Sequence, residues 1–92
     1  MGKNSIVDKT TVIQTVQRRL QKMAIGDSLT LLTWKKDRSV RLTLLENGNI
    51  EAHESGFVAQ TILVRPDRLR KVLKTLLKRE FPRSHKIRLK MN

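Results

Sequence analysis

Arg70, Lys71, Lys74 and Lys78 are spaced so that a helix would gather them on one side, within about a third of its circumference. Lys71 and Lys74, and Lys74 and Lys78, would then be neighbours one turn apart, and a like-charge pair at that spacing costs a few tenths of a kcal/mol. A polyanion laid across the four would relieve that repulsion. A merely solvated helix face interleaves Glu with Lys, whereas Glu80 is the only acid in the second half of this segment. The chemistry on offer is phosphate binding. Beyond Pro82 the basic series continues with Arg83, His85, Lys86, Arg88 and Lys90. In an extended segment Lys86, Arg88 and Lys90 would share one face at a spacing of roughly 6.5–7 Å, near the phosphate repeat of a nucleic-acid strand. Lysines on an edge strand also guard against edge-to-edge aggregation, and that reading stands equally beside the first. Arg18 and Lys22, one turn apart in an earlier segment, either join the basic set or are simply solvated.

Other chemistries find few residues to work with. There is no cysteine, so disulfides and thiolate metal sites are excluded. His53 and His85 lie far apart without metal-site spacing, no Gly-rich phosphate cradle is present, and no cofactor or metal is expected. His85 in its basic setting is the one feature that suggests acid–base cleavage of RNA, and without a positioned partner it does not make the chain an enzyme. Readers of single strands stack bases on exposed rings. The aromatic residues here are Trp34, Phe57 and Phe81. Phe57 begins an apolar run and Phe81 closes another, so both read as core. Trp34, beside Lys35, Lys36 and Arg38, reads first as core and second as a stacking ring. Phosphate and shape recognition therefore fit better than base reading.

The overall charge agrees. The 92 residues carry twenty Lys and Arg against eight Asp and Glu, a net of +12, with a pI near 11.3. Residues 65–92 hold eleven basic and two acidic residues, so most of the excess is clustered rather than spread as a solubilising coat. A field of that sign favours nucleic acid. No apolar run approaches the roughly 18–20 residues of a membrane span, no secretory stretch opens the chain, and a cytoplasmic protein with no membrane partner is the expectation.

The elements that must position these residues follow from periodicity. Residues 1–8 read as a flexible leader and 9–92 as one domain. Thr11 and Gln14 have the form of a capping box, and Val12, Ile13, Val16, Leu20, Met23 and Ala24 lie on one face of a helix over 11–25 that stops near Gly26. Leu29, Leu31, Leu32 and Trp34 form a first strand, and Val40, Leu42 and Leu44 a second with one buried face. Asn47-Gly48 then marks a type I′ hairpin. Residues 50–64 continue extended, as one bent strand or as two. Pro66 and Asp67 open a second helix whose stripe is Leu69, Val72, Leu73, Leu76 and Leu77, closed by Pro82. Ile87, Leu89 and Met91 alternate in a terminal strand. The predicted fold is α+β, with two helices packed on one face of a three- to four-stranded antiparallel sheet in the order α-β-β-β-α-β.

That order resembles three groups of small RNA-binding proteins. Arg70-Lys71-Val72-Leu73-Lys74 looks like the basic cluster that opens the second helix of double-stranded-RNA-binding domains, although that family's Gly-Pro loop is missing and its Ala is replaced by Leu. The chain is similar in length, charge and hairpin placement to the Alu-domain proteins of the signal recognition particle, which bind RNA on an open sheet face. The late Pro82 and basic last strand are similar to a small ribosomal protein of the large subunit. These resemblances imply RNA rather than DNA as the partner. A ribonucleoprotein partner and a homodimer remain open, as do an architectural DNA-binding role and a protein-interaction module.

Overall fold

Alternating apolar and polar side chains build most of one antiparallel sheet in the computed structural model of the chain, which describes residues 3–35 and 37–91. The strands are β1 (Lys3–Asp8), β2 (Ser28–Leu32), β3 (Ser39–Leu44), β4 (Ile50–Ser55), β5 (Ala59–Val64) and β6 (Lys86–Met91). They lie side by side in the order β1-β6-β2-β3-β4-β5, and every neighbouring pair is antiparallel. Helices α1 (Val12–Leu20) and α2 (Leu69–Glu80) cover one face. Between the layers lie Val12, Val16 and Leu20 of α1, Leu69, Leu73, Leu76 and Leu77 of α2, and the inward residues of the strands, such as Leu29, Leu42 and Leu89. Phe81, fully buried, closes the core at the end of α2.

The fold is α+β as the periodicity indicates, but the sheet has six strands rather than three or four. Two segments account for the difference. Residues 3–8, expected as part of a leader, form edge strand β1, paired with β6 from Lys3↔Met91 to Asp8↔Lys86; residues 1–2 of that leader lie outside the described residues. Its side-chain pattern is too weak to announce a strand, and backbone pairing with the far end of the chain makes it one. Residues 50–64 are two strands, because the chain turns at Ser55-Gly56 and β5 returns along β4 from Ser55↔Ala59 to Ile50↔Val64. The β3–β4 hairpin turns through Asn47 at φ 63° and Gly48 at φ 78°, the left-handed pair that the Asn-Gly dipeptide admits.

Helix α1 is shorter than its apolar pattern. It ends at Leu20, and Gly26, at φ 94°, hydrogen-bonds Leu44 rather than capping the helix. The capping box does not form: the Thr11 hydroxyl donates to the Asp8 carbonyl at 3.3 Å. Before α2, Pro66–Arg68 make one 3-10 turn, where the fixed φ of proline suits the entry to a helix.

Candidate nucleic-acid interface

Helix α2 turns its leucines inward, which leaves Arg70, Lys71, Lys74 and Lys78 exposed on its outer side. Among the described residues none of the four has a carboxylate within ion-pair distance. Arg18 on α1 and Lys22 just past its end are exposed in the same layer. These six cations share the helix layer, and the one acid within either helix, Glu80, is buried.

Lys86, Arg88 and Lys90 do not extend that surface. Ile87 and Leu89 of β6 face the helices, so the three basic residues project from the opposite, uncovered face of the sheet. The smallest dimension of the molecule is 20 Å, and the sheet itself separates the two basic sets. β6 is an interior strand between β1 and β2, so its cations guard no edge. Strand register places Lys90, Thr30, Arg41, His53 and Thr61 in one row across the open face, with neighbours about 4.8 Å apart. Arg41 had carried no signal in the sequence, since a single arginine in a strand gains meaning only from its cross-strand neighbours. The His53 Nδ1 lies 2.8 Å from the Thr61 hydroxyl. Lys86 is paired with Asp8.

A third basic cluster occupies the end of the sheet. The β2–β3 turn, the β4–β5 hairpin and the segment after α2 enclose a cleft of about 580 Å³, into which Arg83 also faces. Phe57, read as core, and Trp34, read as core first and as a stacking ring second, are on its walls instead, 67% and 56% exposed. Trp34 falls two residues past the last β2 residue, and Phe57 lies in the hairpin turn. Each ring carries a guanidinium: Arg88 sits 4.5 Å from the Trp34 ring centroid and Arg38 3.7 Å from that of Phe57. Lys35 and Arg38 line the cleft too, while Lys36 lies outside the described residues. The local acid Asp37 accepts a 2.7 Å bond from the Thr33 hydroxyl, which holds its carboxyl below the usual range.

Buried carboxylates anchor this cleft. Glu80, at the end of α2, accepts the Phe57 and Val58 amides at 2.8 and 3.1 Å and so pins the β4–β5 turn. Gly56 leaves room for that carboxylate: a Cβ at this position would lie 2.1 Å from the Glu80 Oε1, so Glu80 would have to shift. Next to it the buried Glu54 receives two 2.8 Å bonds from the Arg79 guanidinium and one of 2.9 Å from Gln60. The Arg79 bonds outweigh desolvation and pull the Glu54 carboxyl down to about 2. Arg38 also donates to the Glu80 carbonyl at 3.4 Å, and Lys9 to that of Phe81, so cations meet the negative end of α2.

His85 is exposed beside Asp8, Lys9 and Ser84, and its side chain has no hydrogen-bond partner among the described residues. Among the described residues no group of three or more His, Asp or Glu is arranged to hold a metal, and no helix is long and apolar enough to cross a membrane. The chain matches no protein-family model, no curated protein and no solved structure.

Proposed function

We propose that this protein binds structured RNA by its phosphate backbone, as an accessory component of a ribonucleoprotein in the cytoplasm, with α2 as the principal contact. The observation that carries this reading is the outer face of α2, where Arg70, Lys71, Lys74 and Lys78 are exposed with no acidic partner among the described residues. Cations held this close repel one another in the free protein and are neutralised by phosphate, so binding releases counterions and weakens steeply with salt. Arg18 and Lys22 add to the same layer. The test is the affinity for labelled duplex RNA and duplex DNA across a salt series, for the wild type and for the combined Arg70→Gln, Lys71→Gln, Lys74→Gln variant. An unchanged affinity in the triple variant would refute the assignment to α2, and preference for DNA in direct competition would turn the reading to an architectural DNA-binding protein.

A second reading has one observation in its favour. Ile6 on β1 and Leu63 on β5 are 58% and 67% exposed, and these are the two edge strands. Apolar side chains on open edges suit pairing with a second copy of the chain. Sedimentation showing a monomer at micromolar concentration would dismiss that reading. A ribonuclease centred on His85 is the least supported, since among the described residues no acid–base group hydrogen-bonds its ring, and intact RNA after prolonged incubation would end it.

A further inference from the structure

Trp34 and Phe57 are large rings at the rim of a basic cleft, where their exposure gains the fold little. They are nonetheless held in place. Stacked guanidiniums fix one face of each ring, and Glu80 fixes the backbone that carries Phe57. A ring already ordered loses little entropy when a partner stacks on it. Lys35, Arg38 and Arg83 outnumber the two acids of the lining, Asp37 and Glu80, and the Glu80 carboxylate is buried against the Phe57 and Val58 amides, so the flat apolar surfaces lie within a positive field. Flat aromatic surface and positive charge together match a nucleobase with its phosphates, and duplex RNA offers phosphates but keeps its bases stacked inside.

We propose that the cleft receives an unpaired nucleotide of the RNA, its base stacked on Trp34 and its flanking phosphates met by Lys35 and Arg83. This rests on the RNA-binding reading above and adds a site for a bulged or single-stranded residue at the end of the sheet, between the helix layer and the open face. The base is held by its π-face, so recognition there tolerates any base, and specificity is for an unpaired position.

Trp34 is the only tryptophan of the chain, so its fluorescence reports on this site alone. The experiment titrates the protein with a duplex RNA carrying a one-nucleotide bulge and with the same duplex fully paired. Tryptophan emission and the anisotropy of end-labelled RNA are both read. The bulged RNA is expected to quench Trp34, and the paired duplex to bind with little quenching. Trp34→Leu should weaken bulged-RNA binding by about five- to 150-fold and leave the paired duplex within about twofold, with Trp34→Phe recovering part of the loss. Arg83→Gln, an exposed position, gives a second variant that leaves the ring in place and should also favour the paired duplex. Bulged RNA bound without quenching, or equally tightly by Trp34→Leu, overturns the cleft while leaving the α2 interface standing. Binding of the bulged form alone supports the cleft and removes α2 as the principal contact. Failure to bind either RNA overturns both.

Discussion

At the scale of single residues the most consequential side chains are two buried glutamates in a chain with a net charge of +12. Glu80 satisfies two amides of the β4–β5 turn, and the space for its carboxylate exists because residue 56 has no Cβ. Gly56→Ala should destabilise the fold by about 1–3 kcal/mol, read as a lower urea midpoint, because the displaced Glu80 would strain or abandon both bonds. A variant as stable as the wild type would show that the turn does not depend on Glu80. Glu54 makes a pH prediction. Its carboxyl sits near 2 in the fold against an ordinary value of 4.5, chiefly through the Arg79 bonds. A depressed folded-state value means stability that is fully present above about pH 4.5 and lost as pH falls toward 2, on the order of 3 kcal/mol in total. Glu54→Gln should therefore trail the wild type at pH 7 and converge with it in acid; a gap in urea stability constant from pH 7 to 2.5 would exclude the ion pair as its cause.

At the scale of elements, α2 combines a leucine stripe that makes it fold with a basic face that adds nothing to folding. Replacing Arg70, Lys71 and Lys74 with Gln should leave the melting temperature unchanged or slightly higher, since each relieved like-charge pair returns a few tenths of a kcal/mol. The same variant should lower the dependence of log affinity on log salt for a B-DNA duplex by about 0.9 for each phosphate contact removed. A loss of affinity with an unchanged slope would mean that the three residues act other than by meeting phosphates. Edge strand β1 makes a different claim. Deleting residues 1–8 would remove the β1 side of the β6 ladder and the 2.9 Å bond from Arg19 to Ser5, leaving β6 as an edge paired only with β2. Lower thermal stability and greater aggregation are expected, and a truncated chain that melts like the full one would mean that β1 contributes no stability.

At the scale of the whole molecule, basic residues occupy two faces of a thin two-layer fold and the cleft at one end. Side chains separated by the sheet share no partner, so their energetic effects should add. Combining Arg41→Gln and Lys90→Gln on the open face with the α2 triple variant should change RNA affinity by the sum of the separate effects, within about 0.5 kcal/mol. A strongly non-additive result would indicate one RNA segment wrapping the edge and touching both faces at once.

Much of this was legible without coordinates. The helix stripes, the Asn47-Gly48 turn, β3 and the alternation of β6 were visible because each depends on residues close in sequence, where period 3.6 or 2 is a local property. The exposed face of α2 followed from the same spacing. The number of strands, the interior place of β6 and the separation of Lys86, Arg88 and Lys90 from α2 were not visible, because each depends on which strands pair across the whole chain. Trp34 and Phe57 show the limit most sharply. Hydrophobicity assigned Phe57 to the core and favoured it for Trp34 over a stacking ring, yet Trp34 lies just past the end of β2 and Phe57 in a turn set by Gly56 and Glu80. Sequence determined the local periodicities and the sign of the charge; only the tertiary structure decided which charges and rings share a surface, because that depends on the layering and pairing of distant segments.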